Sequence, residues 1–353
     1  MESSKSQKLF IKTYGCQANI NDSEILSARF IKQGYKIVDS ENKADTVLIN
    51  SCSVKNKTQS KILYYIKKYY DNKKIILAGC LIKTLDLKKQ FPQIKLVDSL
   101  NLKRLNQPLV RKDKNTAIIQ ISQGCLNKCN FCATKIAKGK LKSFSPKDIR
   151  FELERAVKDG CKKIYLTSQD NGCYGFDFKP KSNLADLLKE IVKVRGSFKI
   201  RVGMMNPQHI KKFISQLIEV YKNPKIIKFI HIPVQSGSDK VLKDMERGHS
   251  VKDFVKIANE FRKAFPRSRF SESTIATDII VGYPNENDDD FHKTLELIEK
   301  IKPEVLNISV FSSRPKTQAS KLKQLSSKII KERTKRLNDL YLSYRKNIKK
   351  INY

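Results

Sequence analysis

Short apolar runs alternate with longer amphipathic stretches from Leu9 to Phe311. The first runs are Leu9-Phe10-Ile11, Thr46-Val47-Leu48-Ile49 and Lys74-Ile75-Ile76-Leu77-Ala78. Between them, Asp22 to Gln33 reads as a helix with Asn21 or Asp22 as its N-cap, and Thr58 to Tyr70 as a basic helix. Strands that alternate with helices form a parallel sheet covered on both faces. Residues 8–100 are therefore expected to be a doubly wound parallel α/β domain. A polar connector, residues 98–116, marks a domain boundary, and six further runs follow it. They are Ala117 to Ser122, Lys163 to Ser168, Phe198 to Gly203, Ile227 to Ile232, Thr274 to Val281 and Leu306 to Phe311. The helix before the second of these, Ser145 to Lys158, carries its own start signal, Ser145 as cap and Pro146 at the first helical position. Six strands are fewer than the eight that close a (β/α)₈ barrel. Residues 117–318 thus predict an open, partial (β/α)6 barrel, and residues 320–353 a basic C-terminal helix.

Cysteines mark the ends of these runs. Eight cysteines in 353 residues, three of them within one short loop, do not make a disulfide framework. Cys125, Cys129 and Cys132 stand at C-x3-C-x2-C. Three thiolates on one loop can converge on one iron–sulfur cluster and leave one iron open to a small molecule. A zinc loop is the alternative, but structural zinc wants a fourth Cys or His nearby, and none stands beside this loop. Tyr14-Gly15-Cys16, Asn50-Ser51-Cys52 and Ala78-Gly79-Cys80 each close one of the first three strands. Right-handed crossovers bring such ends to one edge of the sheet, where ligands bind, and Gly15 and Gly79 let the backbone turn sharply there. These three cysteines either hold a second cluster or are buried structural thiols. Cys161, before a strand, reads as core. Cys173 sits near the pocket loop without a visible partner, and His231, His249 and His292 have no metal spacing.

Polar residues gather after the later strands, where barrel sites form. They are Ser168-Gln169-Asp170-Asn171-Gly172-Cys173-Tyr174-Gly175, Arg201-Val202-Gly203-Met204-Met205-Asn206-Pro207 and His231-Ile232-Pro233-Val234-Gln235-Ser236-Gly237-Ser238. Two more follow, Ala276-Thr277-Asp278-Ile279-Ile280-Val281-Gly282-Tyr283-Pro284 and Phe311-Ser312-Ser313-Arg314-Pro315.

The loop from Gln123 to Cys132, with Phe131 before its last cysteine, resembles the signature of radical S-adenosylmethionine (SAM) enzymes. The three strand-end cysteine motifs resemble the N-terminal domain of methylthiotransferases. The five polar motifs resemble that family in order and wording, nearest to the archaeal and eukaryotic branch that acts on N6-threonylcarbamoyladenosine in tRNA. The resemblance runs from about residue 8 to 345. It implies an α/β fold with a radical SAM core and two [4Fe–4S] clusters, one on Cys125, Cys129 and Cys132 and an auxiliary one on Cys16, Cys52 and Cys80. It implies that Gln169, Asp170, Arg201, Gln235, Ser236 and Asp278 line the SAM pocket. It also implies two uses of SAM: methylation of a sulfur on the auxiliary cluster, and generation of a radical that removes hydrogen from C2 of adenine 37. The sequence departs from the family wording at Leu81-Ile82-Lys83, at Asn285-Glu286-Asn287 and at Lys316-Thr317-Gln318. Those positions change loop stiffness rather than a ligand. The chain ends before the small β-barrel RNA-binding (TRAM) domain that follows in the family.

Lys and Arg number 71 against 35 acids, a formal net charge of +36. Such an excess suits a polyanion, nucleic acid first; a Lys-rich solvated surface is the plainer reading. The expected partners are the tRNA anticodon loop, an electron donor and a sulfur donor. The polar start and the lack of a long apolar run point away from membranes, and ligand thiolates that must stay reduced suit a reducing cytoplasm. Two rivals remain at this level: methylthiolation of a ribosomal-protein aspartate, and a non-catalytic metal-containing RNA-binding protein.

Overall fold

A computed structural model describes residues 6–53, 56–266 and 273–345. Five strands build the first sheet: β1 (Lys8–Thr13), β2 (Lys36–Ile37), β3 (Thr46–Ser51), β4 (Lys74–Gly79) and β5 (Lys95–Val97). All pair in parallel, in the order β2-β1-β3-β4-β5. β3 is buried along its whole length, which is why it reads as an unbroken apolar run rather than an alternating one. Its residues still divide between two faces. Val47 and Ile49 pack under the helix Asn56–Tyr69 with Ile62, Tyr65, Ile66 and Tyr69. Leu48 packs on the other face with Leu26 and Phe30 of the helix Gln17–Lys32.

That helix begins at Gln17, with Cys16 in the N-cap position. Asn21 and Asp22, expected as caps, lie inside it and are buried. The chain passes from β1 through one glycine turn into the helix, so the Asn-Asp pair falls a turn inside, on the face that meets the next domain.

The second domain holds β6 (Thr116–Gln120), β7 (Ser122–Gln123), β8 (Lys142–Ser143), β9 (Lys163–Thr167), β10 (Lys199–Val202), β11 (Phe229–His231), β12 (Thr274–Val281) and β13 (Val305–Val310). Two parallel three-stranded sheets, β6-β9-β10 and β11-β12-β13, carry the six expected strands. A parallel bridge between Ile200 and Ile226 joins them into one open barrel wall. Helix Pro146–Lys158 starts as its sequence predicts, Ser145 accepting from the N–H of Asp148. β7 and β8 form a small antiparallel ribbon that clamps both ends of the cysteine loop between them.

The last helix runs Ser327–Arg345 rather than from Ser320. Before it, Gln318–Lys321 form a short 3₁₀ turn, and the Ala319 N–H bonds the carbonyl of Asn130 in the cysteine loop. That tether holds the segment in a turn. The rest of the expected helix, residues 346–353, lies outside the described residues. Among the described residues no helix is long and apolar enough to cross a membrane.

Candidate active site at two cysteine clusters

Cys125, Cys129 and Cys132 sit on the clamped loop over the carboxyl ends of the barrel strands. Cys132 leads directly into helix Ala133–Lys138, and its N–H bonds the carbonyl of Cys129 at 3.1 Å. Donors already point at the sulfurs. The Asn127 N–H and Nδ2 lie 3.4 and 3.1 Å from Cys125 Sγ, and Arg247 Nη1 lies 3.3 Å from Cys129 Sγ. Asn127 is in turn fixed by Asp170 Oδ2 at 2.7 Å and by His209 Nε2 at 2.9 Å. Arg247 is pinned to the Pro233 carbonyl at 2.8 Å. Donors on a sulfur favour thiolate over thiol. A hydrogen bond from the Cys173 thiol, assisted by Asn127, brings the Cys125 thiol below its usual range against the pull of burial. Burial pushes Cys129 up, with Arg247 opposing. Cys173 therefore has a partner that its sequence context did not show: Cys125, Asp170 and Cys173 bring their ligand atoms within 4.8 Å of one another.

Cys16 and Cys52 follow β1 and β3, on either side of the point where the strand order reverses, and Cys80 follows the next strand, β4. Gly15 and Gly79 both take positive φ, +116° and +89°. A Cβ at Gly15 would lie 3.0 Å from the Cβ of Cys52, so the first two cysteine turns touch. A Cβ at Gly79 would lie 2.2 Å from the Ser51 carbonyl oxygen, and only glycine lets β4 press this close to β3. Side-chain amides and hydroxyls sew the edge together. Asn19 Nδ2 donates to the Tyr14 and Ser51 carbonyls, Asn50 Nδ2 to the Asn19 carbonyl, and the Cys80 N–H to the Ser51 carbonyl. Burial pushes the Cys80 thiol up to about 12; Lys138 opposes this, while Cys52 and Cys16 add to it. Mutual repulsion of three thiolates is a property of a ligand set, and a bound cation relieves it. Three inert core thiols would not need the glycine turns.

The two cysteine groups meet across a buried ionic junction. Asp22, inside the first helix, is fully buried and takes Arg104 Nε at 3.0 Å and Lys138 Nζ at 3.4 Å. Gln120 Nε2 of β6 adds a bond to Asp22 at 2.8 Å. Lys138 ends the helix that starts at Cys132. One carboxylate thus ties the Cys16 helix, the connector, the barrel wall and the Cys132 helix together. Arg314, after β13, makes a second link: it is buried near Cys52 and donates to Gln59 Oε1 at 3.2 Å.

The six residues expected in the SAM pocket fall in two layers. Arg201, Gln235 and Asp278 belong to the barrel wall. Arg201 stacks between the rings of Phe229 (4.1 Å) and Tyr165 (5.5 Å). Asp278 accepts from His231 Nε2 at 3.0 Å and from Asn307 Nδ2 at 2.7 Å. Burial pulls its carboxyl up, but those bonds and the His231 charge outweigh it and hold it below the usual range. Gln235 sits at φ +80°, and its buried Oε1 has no hydrogen-bond partner among the described residues. Gln169 Oε1 accepts from the Gly124 N–H at 2.7 Å, directly beside Cys125. Asp170 and Ser236 lie deeper, both fully buried. Asp170 takes the N–H groups of Gly172 and Asn206 as well as Asn127. Ser236 supports the loop through Ser238 and Thr294. Asn127, His209, Arg247, His231 and Asn307 also belong to the site. Asn127 stands inside the cysteine loop and His231 opens one of the polar motifs, whereas His209, Arg247 and Asn307 have no local pattern to reveal them.

Residues 119–298 match the family described as the Radical SAM superfamily, and residues 8–99 match Uncharacterized protein family UPF0004. The chain is 40% identical to a "Probable threonylcarbamoyladenosine tRNA methylthiotransferase" of Pyrococcus horikoshii, covering 98% of this chain and 86% of that protein. It is 36% identical to the threonylcarbamoyladenosine tRNA methylthiotransferase of Homo sapiens, over 96% of this chain and 63% of the human protein. The chain belongs to the threonylcarbamoyladenosine tRNA methylthiotransferase family. Members of this family are radical SAM enzymes, and the fold agrees. The radical SAM methyltransferase TsrM of Kitasatospora setae superposes with a TM-score of 0.60 at 12% identity, covering 89% of this chain and 77% of that one. The cobalamin-dependent SAM radical enzyme OxsB superposes with a TM-score of 0.57, covering 96% and 56%. Both likenesses are of fold alone. In this methylthiotransferase, the glycine turns, the donors on the sulfurs and the charge junction fit two iron–sulfur clusters better than zinc. Neither cysteine trio has a fourth cysteine or histidine among the donors found beside it, apart from Cys173 against Cys125.

Proposed function

We propose that Cys125, Cys129 and Cys132 hold the [4Fe–4S] cluster that binds SAM, and that Cys16, Cys52 and Cys80 hold the auxiliary one. When bound, these groups supply one-electron cleavage of SAM and a transferable sulfur; the chain supplies placement, charge and exclusion of water. The observation that carries the reading is geometric. One cysteine trio caps the barrel, the other lines the carboxyl edge of the first sheet at and beside its switch point, and Asp22 ties the two domains between them.

Asn127 and Arg247 donate towards the first trio and moderate its negative charge, and Cys173 lies against Cys125. Arg201 is set to clamp a carboxylate, and the buried Gln235 Oε1, which lacks a hydrogen-bond partner among the described residues, is set to accept from a ribose hydroxyl or an amine. Asp278, kept ionised by His231 and Asn307, is set to accept from the amino group of SAM. Asp170 and Ser236 act from behind, Asp170 by holding Asn127 and the loop of Asn206. Lys138 and Arg314 bring positive charge to the second trio. The target is threonylcarbamoyladenosine at position 37 of tRNA, whose place in a single-stranded loop allows the base to be turned out, and the product is its 2-methylthio derivative. A cytoplasmic setting, with separate electron and sulfur donors, completes the proposal.

The test is anaerobic. The loaded protein is incubated with SAM, dithionite and tRNA carrying threonylcarbamoyladenosine, and digested nucleosides are read by mass. One added methylthio group is expected. Cys125→Ala should abolish SAM cleavage, whereas Cys52→Ala should abolish methylthiolation and leave SAM cleavage. An unmodified nucleoside with intact SAM and bound zinc would overturn the proposal.

A further inference from the structure

The helix Asn56–Tyr69 differs from its neighbours in charge. It carries no acidic residue, whereas every other described helix of eight residues or more carries at least one. Ile62, Tyr65, Ile66 and Tyr69 turn into the sheet. The opposite face presents Ser60, Lys61, Tyr64, Lys67 and Lys68, all exposed. Tyr64 is 71% exposed, more than any other large hydrophobic side chain among the described residues. An aromatic ring standing free between lysines has no folding reason to be there, since an exposed tyrosine contributes little to the core.

Position adds a second argument. The helix follows Cys52 directly in the chain. Its first turns reach the barrel end, where Arg314 bonds Gln59 at 3.2 Å beside Cys52. From Lys61 to Lys68 the stripe spans about 10 Å, starting two residues after Gln59, which Arg314 holds.

The geometry points to this face as the docking surface for the looped RNA substrate, with Tyr64 stacking on an unpaired base and Lys61, Lys67 and Lys68 contacting phosphates. The inference rests on the reading of tRNA as substrate. Base–aromatic stacking is tolerant of sequence and suits a flat, exposed ring, and lysines on either side track a backbone. Such a surface holds the loop while leaving the modified base free to enter the barrel.

The test is equilibrium binding of a fluorescent anticodon stem-loop RNA to the cluster-loaded full chain, under argon, across a salt series. Tyr64→Ala should weaken binding by about 5- to 150-fold, the range for loss of one stacked base, and Tyr64→Phe should retain it. The triple variant Lys61→Gln, Lys67→Gln, Lys68→Gln should reduce the slope of log K against log salt by about 2, three contacts at ~0.7 each. The same charge removed at Lys252, Lys256 and Lys263, exposed on helix Val251–Ala264, should change the slope much less. If the wild type binds RNA and both helix variants match the Lys252/Lys256/Lys263 control, the surface is wrong and the proposed function stands. If the wild type does not bind the RNA at all, the substrate reading falls as well.

Discussion

Asp22→Asn is the sharpest perturbation the fold offers, because it removes one charge and almost no volume. The Asp22, Arg104 and Lys138 side chains are 0%, 1% and 2% exposed. At 3.0 Å and an effective dielectric of 20, one such pair attracts by about 5 kcal/mol before desolvation and the repulsion between the two cations are subtracted. Breaking a buried pair by deleting one partner costs about 3–5 kcal/mol in practice, since a buried charge is left uncompensated. Here both cations lose the buried anion they share, so the upper half of that range is expected. The chain has no tryptophan, so unfolding is followed by far-UV circular dichroism in urea. With a slope of about 3 kcal/mol per molar, the midpoint should fall by more than about 1 M. Adding Lys138→Met to Asp22→Asn should recover part of the loss, a coupling of about 1–3 kcal/mol in a double-mutant cycle. A midpoint within about 0.2 M of wild type, or a strictly additive cycle, would refute the argument that this junction ties the domains together.

Three further outcomes follow from single contacts. Gly79→Ala meets the Ser51 carbonyl at 2.2 Å in a left-handed conformation; iron content should drop by about half, from about eight to about four, while SAM cleavage persists. Arg247→Gln removes a cationic donor from Cys129 Sγ and should lower the reduction potential of the SAM-binding cluster in a titration followed by electron paramagnetic resonance. A shift of about 59 mV corresponds to a tenfold change in the one-electron equilibrium, and an unchanged potential would deny Arg247 that role. Burial, aided by the Arg247 charge, depresses the His249 imidazole to about 3. The unfolded state then binds the extra proton first, so this contribution to stability is complete above about pH 6.5 and declines as pH falls towards 3, by about 1.4 kcal/mol per unit. His249→Gln should flatten stability between pH 6 and 4 relative to wild type; an unchanged slope would contradict the assignment.

Much of the fold is legible because the central strands of the sheets are buried by helices on their flanks. β3 and β12 are almost wholly enclosed, so their centres carry the apolar runs Val47-Leu48-Ile49 and Ile279-Ile280-Val281, which stand out. β2 and β5 escaped notice because they are short edge strands with exposed lysines. The sequence pattern starts the first helix too late because Asn21 and Asp22 look like caps. Their polarity serves the junction with β6, a contact about 100 residues away that no local pattern encodes. The same holds for the site. Cysteines and glycines at strand ends announced themselves by spacing, whereas Arg247, His209 and Asn307 reach the site only through the tertiary fold. Cys173 illustrates the limit well: its neighbour Cys125 is 48 positions away and reaches it only because β9 and the cysteine loop share one end of the barrel.

The placement of Asp22 also bears on why one chain carries both cysteine groups. A substrate carbon that must first lose hydrogen and then gain sulfur has to stay within reach of both sites. Free domain motion would vary that distance from one turnover to the next. A buried carboxylate shared by a helix from the first domain and a helix from the second removes that freedom, and burial keeps salt from screening it. The cost is desolvation of three charged groups, which a hydrophobic contact of equal size would avoid. The charged version adds something an apolar one would not. Two cations meet one anion, and the surplus positive charge lies on the side of Cys80, where Lys138 opposes the rise in its thiol pKa. The junction thus sets distance and, with the same residues, offsets the negative charge that three thiolates concentrate at the sheet edge.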